Sequence, residues 1–389
     1  MIYFFLGGFA LLSCISIAGA NVFIVLSTLM GIFRCYLKKD DLTFKNYEGF
    51  LKVIIFFLLT MFLSAIFNGE IKIGLNRFFE AYVYRMFPII LVILFIKDII
   101  KIKKLFILII SSLTITNIFA VYQFLLFDNI RANAFAASPM SLAGFLSIMI
   151  PGIFILVLKS DDIKEKTIFS IVFSLSLIAL VANATRGAWI ASLISIILAT
   201  IFYFDNIKII LKYLLVIIAI ILITVANNDE VKTRINSITD FSYQSNSERV
   251  LLWKSSYNMF KDKPIFGIGL GQFTAKYQSE YILPEAKERK LGHAHNNFMQ
   301  MLGETGLIGF LGFCTMFSYF MFSVFRFWKK DGEVVSLIIL SGTVGLLIQG
   351  LTEFNFGNSA VMKLYWFFMG LTLQYYFIKK KLDKEENAL

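Results

Sequence analysis

Both histidines of this 389-residue chain lie in one pentapeptide, His293-Ala294-His295-Asn296-Asn297. Imidazole is the only side chain whose unperturbed pKa lies near neutral pH, so a histidine can act as a general base without an unusual environment. The pentapeptide follows a long polar stretch and precedes a long apolar one. It therefore predicts two titratable rings at a membrane–water boundary. Interfacial anchoring and helix capping by Asn296 are the structural alternatives. Two imidazoles beside two amides favour a functional site.

The composition is typical of a helical membrane protein. Hydrophobic residues make up 58% of the chain and charged residues 16%, against about 45–50% and about 25% in soluble domains. The net charge of +11 is spread over short clusters between apolar runs, which is typical of topogenic charge and not of a nucleic-acid site. We expect an all-α polytopic protein with one membrane domain, residues 1–389, and with membrane lipids but no nucleic acid among its partners.

Apolar runs of the length that a bilayer requires, about 20 residues, predict about twelve transmembrane helices. They cover residues 2–18, 20–36, 50–67, 81–96, 104–126, 138–158, 167–183, 187–204, 208–226, 296–325, 333–351 and 359–378.

The lysines and arginines predict the orientation of these spans. With the N-terminus in the cytoplasm, the inside segments hold 21 basic residues and the short outside segments hold 6. This asymmetry follows the positive-inside rule and predicts that both termini are cytoplasmic. It also predicts one large periplasmic loop, residues 227–295, between helices nine and ten, with His295 at its end.

Four arginines oppose the charge rule, because the same orientation puts Arg77, Arg85, Arg131 and Arg186 on the outer side. Snorkelling to lipid headgroups would account for each of them. Retention by an anionic ligand is the alternative, and it makes them candidates for phosphate binding.

The long loop contains two local patterns. Ser245-Asn246-Ser247-Glu248 has capping-box spacing, and an apolar stripe follows at Val250, Trp253, Tyr257 and Phe260. These features predict a surface amphipathic helix of about fifteen residues, which Pro264 ends. The run Gly267–Gly271 lacks a βαβ context, so it favours a tight turn over a phosphate cradle.

The apolar run after the histidines predicts a helix over 296–325. In an unbroken helix Gly306 and Gly309 lie near the face of His295 and allow a neighbouring helix to approach closely. Glu304 would lie on the opposite face and need a basic or polar partner on another helix. Cys14, Cys35 and Cys314 have no metal-ligand spacing, and no Asp-x-Asp is present. We therefore expect neither a metal nor a cofactor.

Several motifs together resemble the O-antigen ligase and polymerase superfamily of bacterial envelope glycosyltransferases. They are Arg186-Gly187-Ala188, Arg249-Val250-Leu251-Leu252-Trp253, Asp262-Lys263-Pro264 with the glycines that follow, and His295-Asn296 nine residues before Gly306-x-x-Gly309. The resemblance covers roughly residues 130–375.

The resemblance implies a GT-C-like membrane fold in the bacterial inner membrane with a periplasmic active site. It implies transfer of a glycan from undecaprenyl diphosphate to an acceptor hydroxyl, with inversion and without a metal. His295 takes the catalytic position of the family, and Arg186 and Arg249 match arginines that would hold the diphosphate. His293 and Asn296 are possible accessory residues, as are Arg77, Arg85 and Arg131.

Three functions remain open from the sequence. In a ligase the acceptor is the lipid A core, and in a polysaccharide polymerase it is another carrier-linked repeat unit. The two share every motif above, and we favour the ligase. A secondary transporter is the alternative from another class, but the nine-to-three division of the spans lacks the matching halves that transporters show.

Overall fold

The computed structural model describes residues 1–37, 44–127, 131–204 and 243–386, with residues 208, 211, 215, 219, 232, 233, 236, 237 and 240. Helices dominate this part of the chain, and no strand occurs in it. The α-helices are α1 Ile2–Leu12, α2 Ile17–Tyr36, α3 Glu48–Phe67, α4 Ile71–Arg77, α5 Phe87–Phe95, α6 Ile99–Leu126, α7 Pro139–Lys159, α8 Ile163–Ala182, α9 Arg186–Tyr203, α10 Gln244–Asp262, α11 Phe273–Lys276, α12 Asn297–Asp331, α13 Val334–Gln349 and α14 Ser359–Glu386.

The prediction of an all-helical membrane protein is confirmed. Over the described residues, eight helical segments are long and apolar enough to cross a bilayer. A helix overlaps each predicted span except 208–226, which lies largely outside the described residues. Helix α1 has only 11 residues and α13 only 16, so both are shorter than the expected 20. The total of twelve spans stays a prediction.

Short polar segments gather at the two ends of the bundle. Three hydrogen bonds join these segments at one end of the bundle. Arg85 donates to the carbonyl of Phe356, and the side chain of Asn68 donates to the carbonyl of Gly267. The backbone N–H of Ala132 donates to the carbonyl of Ala182. These segments are the ones that the charge rule puts outside. The structure therefore brings them together, while the side of the membrane that they face stays a prediction.

A small outer layer covers this end of the bundle. Its core contains Leu252 and Met259 of α10, together with Phe273, Tyr277 and Ala294. The buried face of α10 is formed by Glu248, Leu252, Ser255, Ser256 and Met259. The stripe predicted for this helix is therefore not its buried face, and Tyr257 is 50% exposed. The helix has 19 residues, more than the predicted length, and it ends before Pro264 as predicted.

The predicted capping box at the start of α10 does not form. Tyr243 is the N-cap and makes no side-chain capping bond. The hydroxyl of Ser245 instead accepts a hydrogen bond from Arg186, and the carboxylate of Glu248 accepts from the backbone N–H groups of Lys287 and Glu288. Ser245 and Glu248 therefore form hydrogen bonds with residues distant in the sequence instead of capping the helix.

Helix α12 is broken at Gly306, so the assumption of an unbroken helix is wrong. Gly306 has φ 63° and ψ −162°, a conformation open essentially to glycine alone. The N–H groups of Leu307 and Ile308 donate to the carbonyls of Pro264 and Ile265.

The glycine-rich turn also donates hydrogen bonds to the carbonyls of α12 before the break. The carbonyls of Gly303 and Glu304 accept from the N–H groups of Ile268 and Gly269. Gly267, Gly269 and Gly271 all have positive φ, and a Cβ on Gly267 would lie 2.4 Å from the backbone of Glu304. The prediction of a turn is confirmed, and the turn also bridges the break in α12. Gly306 is therefore approached by this turn, whereas Gly309 is approached by the Met61 side chain of helix α3.

Candidate active site

The two histidines lie in a turn that ends at the first residue of α12. His295 has φ 45°, which is uncommon for a residue with a Cβ and indicates backbone strain at a functional position. Asn296 accepts hydrogen bonds from the N–H groups of Phe298 and Met299 and is the N-cap of α12. The capping alternative for Asn296 is thus confirmed, and its accessory role stays a prediction.

Contacts with neighbouring side chains fix the conformation of this turn. The N–H of Ala294 donates to Gln300, and the indole of Trp253 donates to the carbonyl of Ala294. The N–H of His295 donates to Nδ1 of His293 at 3.2 Å, and the two ring centroids are 4.1 Å apart. Nδ1 of His293 is therefore an acceptor, so a neutral His293 carries its hydrogen on Nε2.

Glu353 is the partner of His295, and it was not among the site residues predicted from the sequence. Its Oε2 lies 2.9 Å from Nδ1 of His295, and its Oε1 lies 3.8 Å from Nε2 of His293. The available signal was an acidic residue in a long apolar stretch, which is uncommon without a function.

The turn between α13 and α14 positions Glu353. The N–H of Asn297 donates to the carbonyl of Gly350, and the side chain of Asn296 donates to the carbonyl of Leu351. The amide of Asn297 also donates to Asn355. The two amides that follow His295 thus attach the start of α12 to the turn that carries its carboxylate.

The charge states of these groups follow from their surroundings. Burial by itself would raise the pKa of Glu353, but the hydrogen bond with His295 and the nearby positive charge, including that of Arg249, outweigh it, and the pKa lies below its usual range. At neutral pH Glu353 is therefore ionised and can only accept hydrogen bonds. Nδ1 of a neutral His295 then carries the hydrogen, and its Nε2 presents a lone pair. This is the arrangement of a general base oriented by a carboxylate.

His293 is predicted to make folding sensitive to mild acid. Burial lowers its pKa to about 4, and nearby positive charge acts in the same direction. The unfolded chain, with a histidine pKa near 6.5, binds a proton at a higher pH than the folded one. This group therefore favours folding above about pH 6.5, and its contribution is lost as the pH falls towards 4. Thermal unfolding in detergent at pH 7 and pH 5 should show a smaller loss of midpoint temperature for His293→Gln than for the wild type. An equal loss would contradict the assignment.

A cavity of about 690 Å³ opens beside the histidines. Its walls include His293, His295, Glu353 and Glu304, and one arginine, Arg77. Glu304 accepts hydrogen bonds from Gln300 of its own helix and from the backbone N–H of Phe273. The charge of Arg77, on helix α4, also acts on Glu304, so the expected basic partner on another helix is found. A π-helical segment, Phe78–Val83, follows directly after Arg77. Such segments occur frequently at functional sites.

Arg249 lies beside this cavity. Burial lowers the pKa of its guanidinium, and the carboxylate of Glu353 opposes that shift. No hydrogen bond from Arg249 occurs within the part of the chain that the structure describes. Its charge also acts on His293. A cation held close to His295 and Glu353 is suited to binding a phosphate group.

Arg186 binds the outer layer. Its Nη1 donates to the carbonyl and hydroxyl of Ser237, and its Nη2 donates to Ser245 at 2.7 Å and to Asn246 at 2.9 Å. Its guanidinium also lies 5.2 Å from the ring centre of Tyr243. Arg186 does not line the 690 Å³ cavity, so its contact with a diphosphate stays a prediction.

We expect Arg186→Lys to loosen the start of α10, because one ammonium cannot reproduce the forked contacts of a guanidinium. Amide hydrogen exchange at Asn246 and Ser247, whose N–H groups donate to the carbonyl of Tyr243, should accelerate about tenfold. This matches the loss of about 1.5 kcal/mol from a charged hydrogen bond. Arg289→Lys, at an exposed arginine of the same layer, is the matched control. Unchanged exchange in Arg186→Lys would mean that Arg186 does not hold this layer.

Arg85 and Arg131 lie further from the histidines. Arg85 is 3% exposed, and its Nη1 donates to the carbonyl of Phe356 in the turn that carries Glu353. Arg131 donates to the hydroxyl of Thr185, the residue before Arg186. Both arginines support segments around the site, and neither lines its cavity.

A metal ion has three candidate ligands here, because ligand atoms of His293, His295 and Glu353 lie within 4.8 Å of one another. Two imidazoles and a carboxylate are suitable for zinc or iron. However, Nδ1 of His295 and Oε2 of Glu353 already face each other at hydrogen-bond distance. The guanidinium groups of Arg249 and Arg77 act on the same cluster and oppose the entry of a cation. The arrangement therefore fits proton transfer better than metal binding.

Comparison with known proteins shows which proteins this region resembles. Residues 171–314 match the family model described as O-antigen ligase. The chain is also 26% identical, over 131 residues, to the teichuronic acid biosynthesis protein TuaE of Bacillus subtilis (strain 168). That match covers 33% of this chain and 26% of the relative, so the chain matches about a quarter of the relative's length. The family match includes Arg186, Arg249 and both histidines, and it ends before Glu353. Over residues 171–314 this chain therefore matches the O-antigen ligase family, which confirms the resemblance seen in its sequence.

Proposed function

We propose that this protein is a membrane glycosyltransferase of the O-antigen ligase type. It moves a glycan from undecaprenyl diphosphate to an acceptor hydroxyl, without a metal, on the periplasmic face of the bacterial inner membrane. The observation that carries the proposal is the pair of His295 and Glu353 in the wall of a cavity that also contains Arg77. The match of residues 171–314 to the O-antigen ligase family supports the same substrate class.

In the proposed reaction His295 acts as the base, and arginines stabilise the leaving diphosphate. Nε2 of His295 takes the proton of the acceptor hydroxyl, and the oxygen attacks the anomeric carbon of the donor from the side opposite the diphosphate. The bond between that carbon and the diphosphate oxygen breaks, so the configuration inverts. The electron pair leaves with the lipid diphosphate, which needs no acid because it is already a good leaving group.

The positive groups stabilise the departing diphosphate. Arg77 in the cavity wall and Arg249 beside it are the nearest guanidinium groups. In a partly dry site such contacts stabilise the transition state by about 3 kcal/mol each. Glu353 stabilises the imidazolium that forms on His295. Arg186 reaches the diphosphate only if donor binding displaces its contacts with the outer layer.

Lipid A core is the acceptor that we propose for a ligase. The relative's name, a teichuronic acid biosynthesis protein, favours a second candidate, in which the acceptor is another carrier-linked unit and the product is a polymer. The two candidates share the base and the arginines.

The test is a transfer assay with the purified protein in detergent and an undecaprenyl-diphosphate-linked glycan as donor. A ligase should transfer the glycan to lipid A core oligosaccharide, and a polymerase should lengthen the carrier-linked chain. Absence of both products, together with uptake of a glycan into vesicles, would favour a transporter. Deletion in the source organism provides the matching readout, because loss of a polymerase accumulates single repeat units and loss of a ligase accumulates carrier-linked polymer.

A further inference from the structure

A second cavity, of about 440 Å³, lies at the other end of the bundle. Helices α6, α7, α8, α13 and α14 form it, and its interior is apolar, with Ile110, Met149 and Ile338 among the walls. Its volume falls within the range of about 300–1,000 Å³ that is typical of sites for small molecules. The cavity is therefore large enough for part of a lipid chain.

The two cavities share no lining residue. On helix α7, Met140 lines the histidine cavity, whereas Met149 is the first residue of α7 that lines the second cavity. Between these two residues the helix rises by roughly 14 Å at 1.5 Å per residue. A ligand of the second cavity is thus separate from the substrates that react at His295.

Charged side chains of both signs surround the opening of the second cavity. They are Lys103, Lys159, Asp161, Asp162 and Glu165, and all five are exposed. Asp162 accepts a hydrogen bond from the N–H of Glu165 as the N-cap of α8. Within the described residues, no ion pair joins these two lysines to these three carboxylates. The charge of Asp161 acts on Lys159, but these opposite charges face one opening without forming a direct ion pair.

We propose that this cavity binds a zwitterionic phospholipid with a primary ammonium headgroup, phosphatidylethanolamine. One acyl chain lies along the apolar walls, the phosphate contacts Lys103 and Lys159, and the ammonium contacts Asp161 and Glu165. Both halves of the headgroup then form charge-assisted hydrogen bonds. An anionic lipid would satisfy the two lysines only, and its charge would add to that of three carboxylates. The charge pattern therefore selects the zwitterion.

The test uses the purified full chain in detergent with equal amounts of phosphatidylethanolamine and phosphatidylglycerol. Native mass spectrometry should detect an adduct with phosphatidylethanolamine at least fivefold more abundant than one with phosphatidylglycerol. Lys103→Gln with Lys159→Gln should abolish both adducts. Asp161→Asn with Glu165→Gln should remove the preference and leave phosphatidylglycerol bound. The aspartate that caps α8 stays unchanged in both variants.

Variants at exposed positions of α6 separate binding in the cavity from adhesion to the surface. Ile107→Trp should obstruct the cavity that Ile107 lines and reduce the adduct at least fivefold. Ile100→Trp is the matched control, since Ile100 is similarly exposed and lies outside the lining, and it should leave the adduct unchanged. Lys104→Gln is the corresponding charge control. Equal retention of the two lipids by the wild type would overturn the proposal, and so would an adduct that survives the paired lysine substitutions or Ile107→Trp.

Discussion

Replacing His295 with asparagine is expected to lower the rate of glycan transfer by about 10²–10⁴-fold, the usual contribution of a general base. Asparagine is chosen because it tolerates the φ of 45° at this position better than alanine does. The variant keeps the cap at Asn296 and the contacts of Asn297, so the start of α12 should remain folded. Single-turnover transfer in detergent measures the effect, and binding of the lipid-linked donor should be retained.

His293→Gln is the matched control for this substitution, because its ring lies in the same turn and contacts the same carboxylate more distantly. Glutamine can still accept the hydrogen bond from the N–H of His295. We expect a loss of transfer below about tenfold, since His293 does not take the proton. Near-wild-type transfer by His295→Asn, or a larger loss in His293→Gln, would remove His295 from the role of base.

Glu353→Gln is expected to lower kcat by about 10²–10⁴-fold, comparable to the loss of an orienting carboxylate in other histidine-dependent enzymes. The amide is close in size to the carboxylate but carries no charge to stabilise the imidazolium. The imidazolium forms on His295 during proton transfer, so Glu353 stabilises the transition state more than the bound substrate. The substitution should therefore reduce kcat and leave KM within about threefold. Glu353→Asp, which keeps the charge on a shorter side chain, should recover part of the rate. Initial rates at varied acceptor concentration separate the two parameters.

Glu304→Gln provides the comparison for Glu353, because both acids are buried and line the same cavity. Glu304 accepts hydrogen bonds from Gln300 and the N–H of Phe273 and does not contact the ring of His295, so neutralising it should change kcat far less. If Glu304→Gln were as defective as Glu353→Gln, general loss of cavity charge would explain both results. A raised KM with unchanged kcat in Glu353→Gln would assign that residue to acceptor binding instead.

Much of the bundle could be predicted from apolar run length, because a bilayer imposes a minimum length on each helix. Ten of the helical segments overlap predicted spans closely, whereas α1 is shorter than its run predicts. The break at Gly306 could not be predicted from periodicity. It depends on Pro264 and Ile265, whose carbonyls take the hydrogen bonds that the helix loses.

The outer layer shows where local patterns fail. Ser245 and Glu248 have the spacing of a capping box, but Arg186 and the backbone of Lys287 bind them more favourably. Arg186, one of the two arginines predicted to bind diphosphate, is thus hydrogen-bonded to the outer layer. Arg77, ranked behind it, lines the cavity itself.

The helical membrane class, the family motifs and the position of His295 at the start of a span could be predicted from contiguous stretches of chain, because they depend on run length, residue type and short spacing. The groups that act on the His295 ring could not be predicted in this way. Glu353 lies 58 residues after His295 in the sequence. Arg77 lies before His295, at a much greater sequence distance. Their proximity depends on how α4, α12, α13 and α14 pack, and no spacing along the chain records that packing.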